Sequence, residues 1–353
     1  MLVTEVTLSR QTKLVVLWVA VAAALLFLWV VRSTLPPFIW AAMAAYLLNP
    51  PTTWLQRQMR VRRIWAVATV YLTLGILVTW AGLVFVPRII AETRDLLRAA
   101  PALANRVEAY LLGNNTVQVL GLEVDLSNWT SDITRALSEF VAQLWQQALH
   151  AVVRLVEMLL QVLLFLFATF YFLLDADRIG RTIHELIPVR YRGELLSLAQ
   201  DIDGVLGRFV RGEFVLVVIM STATYISLSL LQIPYALVLG ILAGFLELIP
   251  IVGPISAATP AVIIALARPS PFGWPQPVHA LVVAGVYFVL RHLEDYLVIP
   301  NVVGRVVEVH PLVAIFAVIA GGTIGGILGM FLAVPAAAVL KIVARYIYLK
   351  LTM

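Results

Sequence analysis

Two apolar stretches of the chain, Pro234 to Leu266 and Pro311 to Leu340, follow one broken pattern. The first reads PYALVLGILAGFLELIPIVGPISAATPAVIIAL and the second PLVAIFAVIAGGTIGGILGMFLAVPAAAVL. Each opens on a proline and runs through aliphatic residues to an Ala-Gly pair, Ala243-Gly244 or Ala320-Gly321. Each then breaks and resumes at a second proline, Pro260 or Pro335, followed by alanine. Proline removes a backbone donor and glycine weakens a helix, so neither stretch is expected to cross a bilayer as one straight rod. In hydrocarbon, unwound backbone is tolerated only where protein or a wet cavity surrounds it. Paired interrupted segments in corresponding positions point to the binding site of a secondary transporter.

A hydrophobic fraction of 61% with only 13% charged residues excludes an ordinary soluble domain, whose apolar usage is nearer roughly half. The mean hydropathy of +0.95 agrees. Long apolar runs, as opposed to alternating ten-residue segments, predict an all-α polytopic membrane protein and not a β-barrel. Without cysteine there is no disulfide, thiolate metal site or cysteine nucleophile. The net charge of +5 sits in loops, where it reports orientation and not nucleic-acid binding. Leu14–Val31 follows Arg10 and Lys13 but lacks a small-x-small cleavage site before Arg32, which predicts a retained first transmembrane helix.

Hydropathy predicts about eight hydrophobic segments. They are Leu14–Val31, Phe38–Leu48, Ile64–Val86, Ala151–Leu174, Phe209–Leu231 and Val278–Ile299, with the two broken stretches. Residues 1–86 form an N-terminal transmembrane part. Residues 87–150 read as an amphipathic extracytoplasmic section in two helical pieces, punctuated by Asn114-Asn115 and Ser127-Asn128. Residues 151–208 add a transmembrane helix and an amphipathic connector at the cytoplasmic face, and 209–353 form the transport domain. Arginines 57, 60, 62 and 63, the connector arginines, and Lys341, Arg345 and Lys350 all fall inside if both termini are cytoplasmic. That topology makes the C-terminal half a helix-plus-hairpin unit repeated in inverted orientation, the arrangement of alternating access.

No P-loop and no H-E-x-x-H motif occurs, the five histidines are scattered, and Ser256 has no base nearby. The chain reads as a non-enzyme without metal or cofactor. Ionisable residues inside apolar spans each cost a few kcal/mol and so attract attention. Glu247 sits at the break of the first hairpin, where it can bind a proton or cation, or cap freed amides. Ile249-Pro250 and Gly253-Pro254 stop helix continuation and are expected to leave carbonyls able to coordinate a ligand. Arg291, His292, Glu294 and Asp295 cluster on the inner part of Val278–Ile299, and i, i+3 and i+4 spacing lets Arg291 pair with both acids. This is a structural ion network or, with His292 titrating near neutrality, a proton relay. Arg208, Arg211 and Glu213 read as anchors at the start of the fifth span. Gly321, Gly322, Gly325, Gly326 and Gly329 allow close helix approach and coincide with the second break.

The run Pro234–Leu237 through Glu247–Pro254 resembles the autoinducer-2 exporter family of bacterial and archaeal membrane permeases. Ile299–Arg305, His310-Pro311, Gly326–Gly329 and Ala333–Pro335 strengthen that likeness. The resemblance is densest from Arg208 to Leu340. It implies a multi-pass exporter of a small furanone-type quorum-sensing signal in the cytoplasmic membrane, with some relatives acting as sodium(lithium)/proton antiporters. It also implies homo-oligomers, pentamers among them, and an elevator-like movement. Glu213 follows Gly212 where many relatives carry glutamine. The reading is therefore a secondary exporter of a small polar solute. The alternatives are a monovalent cation/proton antiporter at the same site, and a non-transporting membrane scaffold.

Overall fold

The computed structural model describes residues 34–113, 116–119, 122–125, 155–187, 189–249, 252–302 and 310–352, together with positions 15, 18, 19, 22, 23, 26, 27 and 29–32. Apart from turns and short connections, these are helical except for one short strand pair. Among the described residues, three helices are long and apolar enough to cross a membrane, with a fourth if a pair bent by 65° at Asp175 counts as one span.

Helix α1 (Leu35–Met59) starts on Pro36-Pro37, whose missing donors cost nothing in a first turn, and ends on Arg60 in the left-handed region. It runs past Leu48 and through Pro50-Pro51, further than hydropathy predicts. The Thr52 hydroxyl donates to the Leu48 carbonyl at 2.7 Å, which supplies one side-chain bond beside the two missing backbone donors. Helix α2 (Arg63–Gly113) is a single rod of 51 residues, about 76 Å by helical rise. The apolar span Ile64–Val86 and the amphipathic piece after it form one helix, whose backbone continues through Pro87 and Pro101. The section 87–150 is not helical throughout. Strands β1 (Thr116–Val119) and β2 (Leu122–Asp125) pair antiparallel, with Val119 opposite Leu122. The second amphipathic piece, Ile133 to Leu144, lies outside the described residues.

Helix α3 (Leu155–Leu174) packs on α1, and the amphipathic α4 (Ala176–Leu186) leaves it at the bend. Arg63 ties this corner together. Its guanidinium donates to the Leu173 carbonyl at 2.7 Å, Asp177 at 2.9 Å and Asn49 at 2.9 Å. A cation on the last carbonyls of a helix satisfies orphan acceptors and opposes the helix dipole. Helix α5 (Arg192–Leu230) joins the expected connector to the expected fifth span without interruption, so Arg208, Arg211 and Glu213 lie mid-helix and not at a helix start.

The first broken stretch is a hairpin of two short helices, α6 (Ala236–Glu247) and α7 (Val252–Ala267), packed on each other. Helix α6 lies against α5 through glycines. A Cβ on Gly244 would strike the Ser221 hydroxyl and the Val217 carbonyl. Its N-terminus is capped from a distance: Glu92 on α2 accepts the Val238 amide at 3.2 Å, one of the four donors a helix start leaves unpaired. Leu103 and Val107 of α2 join Leu228, Leu239, Ile264 and Val283 in the main core, so the outer part of α2 buttresses the hairpin. Helix α8 (Gln276–Leu293) packs on α7 and passes into a π-helical turn, Glu294–Val298, before the short α9 (Ile299–Val302).

The second broken stretch, α10 (Pro311–Thr352), is also folded back. Gly326 interrupts it with φ 58° and ψ −140°. In a straight helix, residues eight apart are separated by about 12 Å. Here a Cβ on Gly321 would collide with the Gly329 carbonyl, and one on Gly329 with the Gly321 carbonyl. The two arms therefore touch backbone to backbone. Phe331, on the second arm, is buried against Phe209 of α5 and Trp40 of α1.

Candidate functional site

Helix α6 ends at Glu247, and the chain turns at once. The Ile249 amide donates to the Leu246 carbonyl, and the Ile249 carbonyl accepts from the Gly253 amide, both at 2.9 Å. The expectation of a free carbonyl at Ile249 is thus corrected, because the start of α7 uses it. Gly253 is required for packing: a Cβ there would meet the Leu246 carbonyl. Pro254 lies in the first turn of α7, where its lost donor is harmless. Pro250, also predicted in the site, lies outside the described residues.

The turn delivers Glu247 to α8. Arg291 donates through Nη1 to Glu247 Oε1 at 2.7 Å and to Glu294 Oε2 at 3.1 Å, while its Nη2 meets Asp295 Oδ1 at 3.0 Å. The pairing with Glu294 and Asp295 follows the i, i+3 and i+4 spacing. The contact with Glu247, 44 residues earlier in the chain, is tertiary. Glu294 is 1% exposed and Glu247 8%, so both carboxyls are withdrawn from solvent. The π-helical turn begins at Glu294. Such turns insert a residue into the helix and re-aim side chains, and they concentrate at functional positions.

A third helix contributes Glu213, half-buried on α5 and within electrostatic reach of both Glu294 and Arg291. Among the described residues, three carboxyl groups contact this guanidinium, and Glu213 stands nearby. Burial of unbalanced charge is expensive, so two buried carboxyls sharing one guanidinium, Glu247 and Glu294, form a costly arrangement. Sequence reasoning assigned Glu213 to anchoring. The available signal was its departure from the glutamine expected after Gly212.

The remaining predicted residues lie elsewhere. His292 is exposed, its Nδ1 2.9 Å from the Phe288 carbonyl and its ring 4.0 Å from that of Phe288, on a different face from the Arg291 carboxyls. Gly321 and Gly329 close the second hairpin, and Gly322 faces Met330. Gly325 and Gly326 have open space where side chains would be. Helix α10 packs chiefly on α5, so the structure brings Glu247 together with Arg291, Glu294 and Asp295 but does not join the glycine hairpin to them directly.

Comparison with known proteins fits this arrangement. The profile of the AI-2E family transporter matches residues 17–348, nearly the whole chain. The chain belongs to the AI-2E transporter family. A relative in Bacillus subtilis (strain 168), named "Putative transport protein YrrI", is 30% identical over 345 residues, covering 93% of this chain and 92% of its own. A second from that organism, named "Putative transport protein YueF", is 27% identical over 318 residues, covering 86% and 82%. A protein of Halobacillus andaensis named "Sodium-lithium/proton antiporter" is 24% identical over 330 residues, covering 89% and 91%. The apolar helices of this AI-2E chain, many with exposed Leu, Ile, Phe and Trp side chains, suit a membrane protein.

Proposed function

We propose that this AI-2E chain is a secondary transporter that exchanges protons for monovalent cations at the cluster of Glu213, Glu247, Glu294 and Asp295 around Arg291. The observation that carries this reading is the convergence of Glu247, Glu294 and Asp295 on the Arg291 guanidinium, with Glu213 nearby, at the break of a helical hairpin. Carboxylate oxygens suit hard cations, and the same oxygens take protons, so the two species compete for one charge deficit. Arg291 links α8 to the turn of the α6–α7 hairpin through Glu247. Neutralising Glu247 weakens that link, which gives the hairpin two states. In the proposed topology both termini are cytoplasmic, the membrane is the cytoplasmic one, and the two hairpins enter from opposite sides. Alternating access then exposes the cluster to each side in turn.

The family resemblance and the open space at Gly325-Gly326 support a second reading, export of a small polar organic solute such as an autoinducer-2-like signal, by an assembly of several copies. Proteoliposomes separate the two. For cation exchange, sodium or lithium added outside a proton-loaded vesicle releases protons with no organic solute present, and Glu247→Gln abolishes the release. For solute export, wild type moves no protons in response to these cations, and solute efflux depends on Glu247. A silent wild type in both assays overturns the transport reading.

A further inference from the structure

A cavity of about 650 Å³ lies between the first four turns of α5 and the last turns of α10, away from the carboxyl cluster. Residues 194, 197, 198, 201, 204, 205 and 208 line one wall at helical spacing, and 342, 345, 346 and 349 line the other. One surface is apolar, formed by Leu198, Val205, Ile342 and Leu349. The polar residues divide unevenly. Glu194 is already engaged, accepting from Lys350 Nζ at 2.7 Å and from the Tyr346 hydroxyl at 3.1 Å. Among the described residues Arg208 and Arg345 form no ion pair, and Asp201 is the remaining acid on the wall. The Arg208 guanidinium folds back over Gly204, 3.7 Å from where a Cβ would stand, so the missing side chain makes room for it. The cavity therefore carries about one positive charge beside an apolar strip.

Its level in the fold matters too. Both walls belong to the charged ends of helices whose apolar parts begin close by, after Glu213 on α5 and before Lys341 on α10. The cavity thus lies on the charged side of both limits, next to where the apolar parts begin and among the arginine-rich helix ends. A guanidinium pair presents the planar donor fork that phosphate oxygens match, and basic pockets between helices on the cytoplasmic side suit anionic head groups. A phosphate diester carries one negative charge and balances the site, whereas a monoester carries nearly two.

We propose that this cleft binds the phosphate diester of an anionic phospholipid, with Arg208 and Arg345 on the phosphate and the acyl chain along Ile342 and Leu349. The site is separate from the carboxyl cluster, so the proposal does not depend on what the AI-2E chain transports. The test uses the purified full chain in detergent, read by thermal unfolding and by native mass spectrometry. Phosphatidylglycerol, phosphatidylcholine and inorganic phosphate are added separately. Phosphatidylglycerol is expected to raise the Tm and to remain bound, phosphatidylcholine to do neither, and the double variant Arg208→Gln/Arg345→Gln to lose the effect while keeping its Tm in phosphatidylcholine. The affinity loss expected is about tenfold or more. If inorganic phosphate alone gives the full shift, the ligand is a soluble phosphate and the lipid assignment is overturned. An equal phosphatidylglycerol effect on wild type and double variant, or no effect on either, overturns the site. Should the double variant not purify, Arg345→Lys keeps the charge but loses the fork, and unchanged lipid retention there overturns the proposal as well.

Discussion

The two hairpins of this transporter share a sequence pattern yet are closed by different chemistry. The first, α6–α7, turns at Glu247 and is held to α8 by an ion pair, to α2 by a carboxylate cap on the Val238 amide, and to α5 by small residues. The second, α10, turns at Gly326 and is held by its own glycine backbones, with no ionisable residue from Pro311 to Leu340. In a membrane, where apolar contact alone gives helices little reason to associate, polar bonds and close small-residue packing are the two available devices. Each hairpin relies mainly on one of them. The first therefore carries a titratable group of its own, Glu247, and the second has none.

That contrast predicts how each hairpin fails. The largest effect is expected from Arg291→Gln, which leaves Glu247 and Glu294 buried without their cation and costs about 3–5 kcal/mol. Thermal unfolding in detergent should show it, whereas Glu247→Gln retains an acceptor for Arg291 and should keep most of the stability while losing exchange. In the second hairpin, bulk should matter and charge should not. Gly329→Leu drives a side chain into the Gly321 carbonyl and is expected to cost about 3 kcal/mol, at the upper end of overpacking. Gly325→Ala faces open space and should leave the Tm nearly unchanged. If Gly329→Leu purifies with wild-type stability, the arms do not meet as described.

Smaller effects probe the supports of the first hairpin. Glu92→Ala removes the cap on α6 and should cost about 1 kcal/mol, with faster amide exchange at Val238. Smallest of all is Glu194→Gln, outside the membrane-spanning part. Lys350 and then Tyr346 hold the Glu194 carboxyl below its ordinary value of 4.5, so its contribution to stability is present above that pH and fades as pH falls below it. A Tm-versus-pH series should show that acid limb in wild type and a flatter one in the variant.

The sequence made both breaks legible, because proline and glycine carry their own backbone rules: Gly253 and Gly326 mark turns that other residues would obstruct or strain. The pairing of Arg291 with Glu294 and Asp295 was equally legible, being set by helical spacing. The link from Arg291 to Glu247 was not, since it arises from the packing of two helices distant in sequence. Glu213 escaped for the same reason. Hydropathy ended the apolar span at Val86 and periodicity gave an amphipathic helix beyond it, but the continuity of the two through Pro87 was not legible, because proline reads as a break. The strand pair after Gly113 left a faint signal, the Val-rich alternation of TVQV and LEVD, which the surrounding helical periodicity masked.

Cation/proton exchange requires that the carboxyl cluster hold protons that a monovalent cation displaces. Calorimetry of sodium and lithium binding to the purified protein, run in two buffers of different ionisation enthalpy, measures that exchange directly. Protons should be released on cation binding in wild type, and both binding and release should be lost in Glu247→Gln and Glu294→Gln. Cation binding without proton release, or release that persists undiminished in both variants, would contradict it.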